Sequence, residues 1–408
     1  MKRSLVSLLL LSLLFFISCD VNDSSSDTDL DVPENYEFTR GGESSVSFSG
    51  QTTRLKMGNE LFSAMLDFDN TTEELLLQMY RNTDDDGGNV DPFSDSELNQ
   101  SEKSIKSKVA ASQDFFSGNA TLSAQIKDEF ETWISGQVYE VFPNRNQLAE
   151  PGVPGQIADG SVERYINDQG LEYDQMVAKS LVGALIADQM LNNYLSPSVL
   201  DESSNREDNN SEVTEEGTNY TTMEHKWDEA YGYIYGTSAD PSNPNPTLGD
   251  DDIFLNKYAG SVVADEDFST IADDLFNAFK TGRAAIVAGD YETRDEQAAI
   301  IQDVVSKIIG VRAVYYLQAG KRQIESDELG PAFHSLSEGY GFIYSLQFTR
   351  IPGTDQPYLN HEEVEAILAD LLDDGENGLW DLETSTLDDL SEQIADRFSF
   401  TVEQAANN

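Results

Sequence analysis

Cysteine, histidine and positive charge are all scarce in this 408-residue chain. The single cysteine, Cys19, rules out a disulfide within the chain. One cysteine and three histidines leave no material for a thiolate metal cluster or a cysteine protease. Lysine and arginine total 25 against 75 aspartate and glutamate, a formal charge of -50. Nucleic-acid binding needs a basic footprint that this surface lacks, and anionic headgroups would be repelled as well. The chain has no Gly-x-Ser-x-Gly elbow, no phosphate loop, no dinucleotide glycine fingerprint and no His-Glu-x-x-His zinc motif. After the first twenty residues no apolar run reaches membrane-spanning length. The 39% hydrophobic content is still enough to build a core.

The position of Cys19 gives it a meaning. Lys2 and Arg3 form a basic start, Leu5 to Ile17 form a short apolar run, and Phe16-Ile17-Ser18-Cys19 resembles a bacterial lipobox. The expectation is a signal peptide over residues 1–18 and lipidation at Cys19. Residues 19–35 are acidic and serine-rich without a periodic apolar face, and read as a tether. Residues 36–408 form the body. The protein is expected to be an outer-membrane lipoprotein, at the cell surface or facing the periplasm, with the membrane as a partner through its lipid.

The body reads as all-α. Spacing near 3.6 predicts ten to twelve helices, among them 102–116, 122–142, 173–195, 220–236, 268–289, 294–324, 330–348, 361–372 and 387–398. Residues 36–51 carry alternation and the pair Gly41-Gly42, which suggests a short hairpin. Residues 143–170 are rich in Pro, Gly and Asn and read as a loop crossing. The acidic loop over residues 83–96 lacks the spacing of a calcium loop.

One pattern occurs twice. His225, Glu229, Tyr231, Gly232, Ile234 and Tyr235 recur as His334, Glu338, Tyr340, Gly341, Ile343 and Tyr344. Each copy follows a long amphipathic segment, which implies an internal duplication with related segments at about 171–290 and 291–400. On a helix, positions i, i+4 and i+7 share a face. Each copy therefore sets an imidazole and a carboxylate one turn apart, above small residues that admit another helix.

Two readings of the pair stand side by side. Imidazole and carboxylate suit iron or zinc, and helical bundles build such sites from facing helices. His225, Glu229, His334 and Glu338 would supply four ligands if the two helices met, with Asp228 able to assist the first copy. Alternatively, each pair is a buried hydrogen bond that fixes helix register. Arg283 lies within an apolar pattern, where it can partner a motif carboxylate or reach outward to solvent. His361 reads as an exposed helix start.

Three stretches carry a resemblance: Ser49-Gly50-Gln51 with Arg54-Leu55, the run from Glu224 to Tyr233, and Gly282-Arg283-Ala284-Ala285-Ile286. With them the chain resembles a family of Bacteroidetes lipoproteins known only as a domain of unknown function. It is also similar in outline to imelysin-like proteins, whose motif is Gly-x-His-x-x-Glu. Met223 and Asp228 stand at the glycine and glutamate positions in the first copy, and Ala332 and Ser337 in the second. That resemblance implies two related helical bundles and a link to iron uptake or peptidase activity. The expected role is a lipid-anchored envelope protein that binds a divalent metal or a metal-bearing ligand. A metallohydrolase, and an adaptor docking on an outer-membrane transporter, are the alternatives.

Overall fold

The computed structural model describes residues 30–407, so the signal segment, Cys19 and most of the tether lie outside the described residues. The fold is all-α. Eleven helices of nine residues or more carry it: α1 Ser49–Met65, α2 Glu73–Arg81, α3 Ala120–Gly136, α4 Tyr173–Leu181, α5 Thr222–Tyr235, α6 Leu255–Val263, α7 Ile271–Ala288, α8 Tyr291–Glu325, α9 Leu329–Ser345, α10 His361–Leu372 and α11 Thr384–Ala395. Two antiparallel hairpins complete it, β1 Thr39–Arg40 with β2 Glu43–Ser44, and β3 Gly155–Asp159 with β4 Val162–Ile166. The first turns through Gly41 and Gly42 at φ 65 and 88, angles that only glycine adopts without strain.

The 35-residue α8 is the spine, flanked by α7, α9 and α11. Its buried face runs through Ile301, Val305, Ile308, Ile309 and Leu317, a 3–4 spacing that keeps one stripe inward. α4 packs on α9, and α1 packs on α5. α4, from residues 171–290, and α9, from residues 291–400, pack together in one core.

Four features differ from the sequence reading. Residues 102–116 are not one helix; only Gln113–Phe116 is helical. Serines explain this: Ser101 Oγ accepts Lys103 N–H and Ser104 Oγ accepts Ser107 N–H, local bonds that displace the helical ladder. The loop over 143–170 contains the β3–β4 hairpin. α6 lies where an irregular acidic stretch preceded an unassigned segment. After α4 the helix continues as π-helical turns over Val182–Ala187 and Met190–Tyr194. There Ser345 Oγ takes the Gly183 N–H at 3.0 Å, and the Ala184 carbonyl accepts the Ala110 N–H at 2.8 Å. Backbone groups drawn out of the ladder in this way widen a helix.

No helix among the described residues is long and apolar enough to cross a membrane.

Candidate functional site

α5 begins with a capping box. Thr221 Oγ1 accepts the Glu224 N–H, and Glu224 Oε2 accepts the Thr221 N–H at 2.7 Å. The box aims Glu224 inward. Glu224 accepts from Arg40 at 2.7 and 2.9 Å and from Arg283 Nη1 at 3.0 Å. One turn on, Asp228 accepts from the Tyr36 hydroxyl at 2.7 Å, Arg283 Nε at 3.1 Å and the Ser47 N–H at 3.2 Å. Arg283 is fully buried and also donates to the Ser45 carbonyl. Burial pushes the Asp228 carboxyl up to about 6 against the pull of Arg283, whereas Glu224 stays below the usual carboxylate range despite burial because Arg40 and Arg283 hold its charge. Asp228 therefore points away from the His225–Glu229 stripe and into an ion network. That corrects its expected place as a helper in a metal site. Arg283 is the buried partner, not an outward-reaching arginine.

On the stripe itself, His225 Nδ1 donates to the Ser47 carbonyl at 3.1 Å and the ring stacks on Tyr220, with centroids 4.5 Å apart. Glu229 accepts from Gln51 Nε2 at 3.0 Å and pairs with Lys226 Nζ at 3.3 Å. Burial raises the Glu229 carboxyl, and Lys226 and His225 more than reverse it.

In the second copy His334 Nδ1 donates to the Glu172 carboxylate at 3.2 Å, while Nε2 lies 3.8 Å from Glu338. Glu338 pairs with Lys179 Nζ at 3.2 Å and accepts from the Tyr258 hydroxyl at 3.0 Å. Burial opposes its charge, but Lys179 and His334 hold it down to about 2. Burial likewise opposes the His334 imidazolium, and the Glu172 hydrogen bond outweighs that, so His334 titrates above the ordinary histidine range. Beside them burial and the Glu172 charge push the Asp174 carboxyl up to about 7.

The small residues act alike in the two copies. A Cβ at Gly232 would meet Phe48 Cβ at 2.4 Å, and one at Gly341 would meet Lys179 Cβ at 2.4 Å. Each His–Glu–Gly stripe thus docks on an earlier helix or its entry, α1 for the first and α4 for the second. The pairs share no hydrogen-bond partner, so His225, Glu229, His334 and Glu338 do not form one four-ligand site. A metal needs donors converging on one point with their lone pairs free. Here Lys226 and Lys179 occupy the cation position at each glutamate. Among the described residues no group of three or more His, Cys, Asp or Glu side chains is arranged to hold a metal ion. Neither cluster fits iron or zinc.

Sequence reasoning missed Glu172, Lys179, Tyr36 and Arg40. Lys179 had a visible signal, a charge inside the most apolar helical stretch, as Arg283 had. Glu172 and Tyr36 lie on connecting segments without a periodic pattern, and only the fold brings them in. His361, expected to be exposed, is half-buried and donates from Nδ1 to Gln347 Oε1 at 2.9 Å.

A groove lies against the first network and has a volume of about 780 Å³. Tyr36, Phe38, Val46 and Phe48 form its floor, with Ser47, Thr52 and Thr53 adding hydroxyls. Glu37, Lys56 and Glu97 are exposed at its rim. The Tyr36 ring stacks on Tyr231 at 3.7 Å and its hydroxyl is held by Asp228, so the buried ions fix the groove floor. No nucleophile with a paired base lines the groove.

The three stretches singled out in the sequence meet around α5, where Gln51 bonds Glu229 and Arg283 bonds Glu224 and Asp228. Gln51 and Arg54 come from α1, residues 224–233 from α5 and Arg283 from α7. The family described as Domain of unknown function (DUF4856) matches residues 33–401. No curated protein and no solved structure matches the chain.

Proposed function

We propose, from the premise that the chain belongs to that family of unknown function, that it is a lipid-anchored binding protein of the cell envelope. Its ligand occupies the Tyr36–Phe48 groove. The observation that carries this reading is the groove itself: apolar rings on the floor, hydroxyls on the wall, and a buried ion network holding both in place. Ligand pockets of this kind bury apolar surface and orient it with a few polar groups. The ligand is therefore uncharged, with an apolar face and hydroxyl or amide groups.

The tether supports the same reading. The chain is docked from Glu34 onward, where the Glu34 carbonyl accepts Lys280 Nζ at 2.8 Å, and Tyr36 already lines the groove. Lipidation at Cys19, a short stretch of sequence before Glu34, would keep the groove near the membrane. Hydrolysis is less well supported, because Lys226 and Lys179 already pair with the two glutamates.

The test uses residues 20–408 and Nile red, an uncharged apolar fluorophore. Wild type should give saturable, blue-shifted emission, and Thr53→Trp, which fills the groove, should abolish it. Equal emission from the two proteins, or none from either, would contradict the assignment. Labelling of the full chain with an alkyne fatty acid should mark the wild type and not Cys19→Ser.

A further inference from the structure

On the other side of α1 from the groove lies a side-chain cluster of opposite character. Carboxylates outnumber basic residues 75 to 25 in this chain, so a lysine should find an acceptor readily. Lys106, Lys179, Lys307 and Lys321 each reach a carboxylate, and Lys127 and Lys280 reach other oxygens. Lys108 does not. It is half-buried, and its Nζ lies 5.4 Å from the centre of the Tyr194 ring. Lys226 Nζ lies 5.5 Å from the same ring. The charges acting most strongly on Lys108 are Arg54, Lys226 and Lys103, all positive, and a single carboxylate, Glu229.

That carboxylate is already engaged by Gln51 and Lys226. Arg54 is anchored by the Ser104 and Gly50 carbonyls, and Lys103 packs beside it: a Cβ at Gly50 would lie 3.4 Å from Lys103 Cε and 3.6 Å from Arg54 Nη1. Four cations thus gather about one carboxylate in a chain of charge -50. Burial and the Arg54 charge hold the Lys108 ammonium below the usual lysine range, a cost that Glu229 and the Tyr194 ring offset only in part.

We infer that the Lys108–Lys226 cluster about the Tyr194 ring binds a small, doubly charged oxyanion of the phosphate or sulfate class. Lys108 supplies the unused donors, Lys226 the second ammonium, and Arg54 and Lys103 the background potential. Oxyanions meet such positively charged donors in short charge-assisted hydrogen bonds. The surrounding negative surface slows the approach of anions and excludes extended polyanions, which leaves small ones. The site is separate from the groove and does not rest on it.

The test is calorimetric titration of residues 20–408 with inorganic phosphate, sulfate and glycerol phosphate at matched chloride ionic strength. Wild type should show one saturable site for at least one of these anions. Lys108→Met should fold with a raised Tm and bind at least tenfold more weakly. Thr53→Trp should bind as wild type does. Glycerol phosphate binding without inorganic phosphate or sulfate would identify an ester as the ligand, and the reverse a bare ion. No saturable binding by wild type, or undiminished binding by Lys108→Met, would overturn the inference.

Discussion

Arg283 is the residue on which the groove floor depends. It joins Glu224, Asp228 and the Ser45 carbonyl with no exposed surface. Arg283→Met leaves two buried carboxylates short of a donor, and breaking a buried pair from one side costs about 3–5 kcal/mol. Urea denaturation should show that loss, and Arg283→Met/Asp228→Asn should cost less than the sum of the two single changes, since the residues are in contact. A loss under 1 kcal/mol would remove Arg283 from this role. His334 is the second test at this scale. Its folded pKa is raised, so its contribution is full below the unfolded value and is lost as pH rises through the folded one. His334→Gln should therefore weaken the protein at pH 5.5 and matter less at pH 9; equal losses at both would contradict the Glu172 pairing. Both histidines were legible from their spacing, and Arg283 from its place in an apolar pattern. Their partners Glu172 and Ser47 were not, because each lies more than 160 residues away in sequence and on no periodic element.

At the scale of the helix, the close approaches decide the sign of a substitution. Gly→Ala within a helix ordinarily stabilises by roughly 0.5–1 kcal/mol. At Gly341 the added carbon would stand 2.4 Å from Lys179 Cβ, so α9 must move off α4. Overpacking of this kind costs about 1–3 kcal/mol, so Gly341→Ala should lower stability in urea denaturation; a gain would refute the docking of the stripe on α4. The stripe was legible because its i, i+4, i+7 spacing is local. The hairpin within 143–170 and the helix α6 were not. The hairpin packs on α9, where a Cβ at Gly330 would lie 1.9 Å from the Ala158 carbonyl, and α6 is fixed by Phe254, Tyr258 and Val262 entering the common core. Tertiary burial, not local pattern, selects both. Residues 102–116 failed in the opposite direction, since Ile105 and Val109 are buried on a segment that serine side chains turn away from the helix.

Across the whole molecule the charge of -50 sets the response to solution conditions. Self-repulsion is screened by salt, so Tm should rise between roughly 10 mM and 1 M sodium chloride, where the Debye length falls from about 30 to 3 Å. A fall would mean that surface ion pairs outweigh repulsion. The pH response has two limbs. Glu338 and Asp201 are held down to about 2, so the stability they give is present above the unfolded carboxylate value and is lost as pH falls through the folded one. Burial pushes Asp174 and Asp252 up to about 7 and Asp188 to about 6, so each favours the folded state when protonated and costs stability as pH rises through that range. Together with His334 they place the Tm maximum near the unfolded carboxylate range, at about pH 4 to 5. A Tm that climbs steadily to pH 8 would contradict this arrangement. The all-α class and the acidic surface were open to sequence reading, because composition and periodicity are properties of the chain as a whole. The packing of residues 171–290 and 291–400 into one core was not, because it depends on which helix each stripe meets.

The central claim is that the two His–Glu pairs are internal supports and that binding belongs to the surface beside them. The most direct measurement is metal content by mass spectrometry, with thermal shifts in added iron and zinc, on residues 20–408 and on His225→Ala/His334→Ala. The account predicts wild type without stoichiometric metal and unshifted by either ion, and a less stable double variant. Stoichiometric metal in the wild type that disappears in the variant would contradict it.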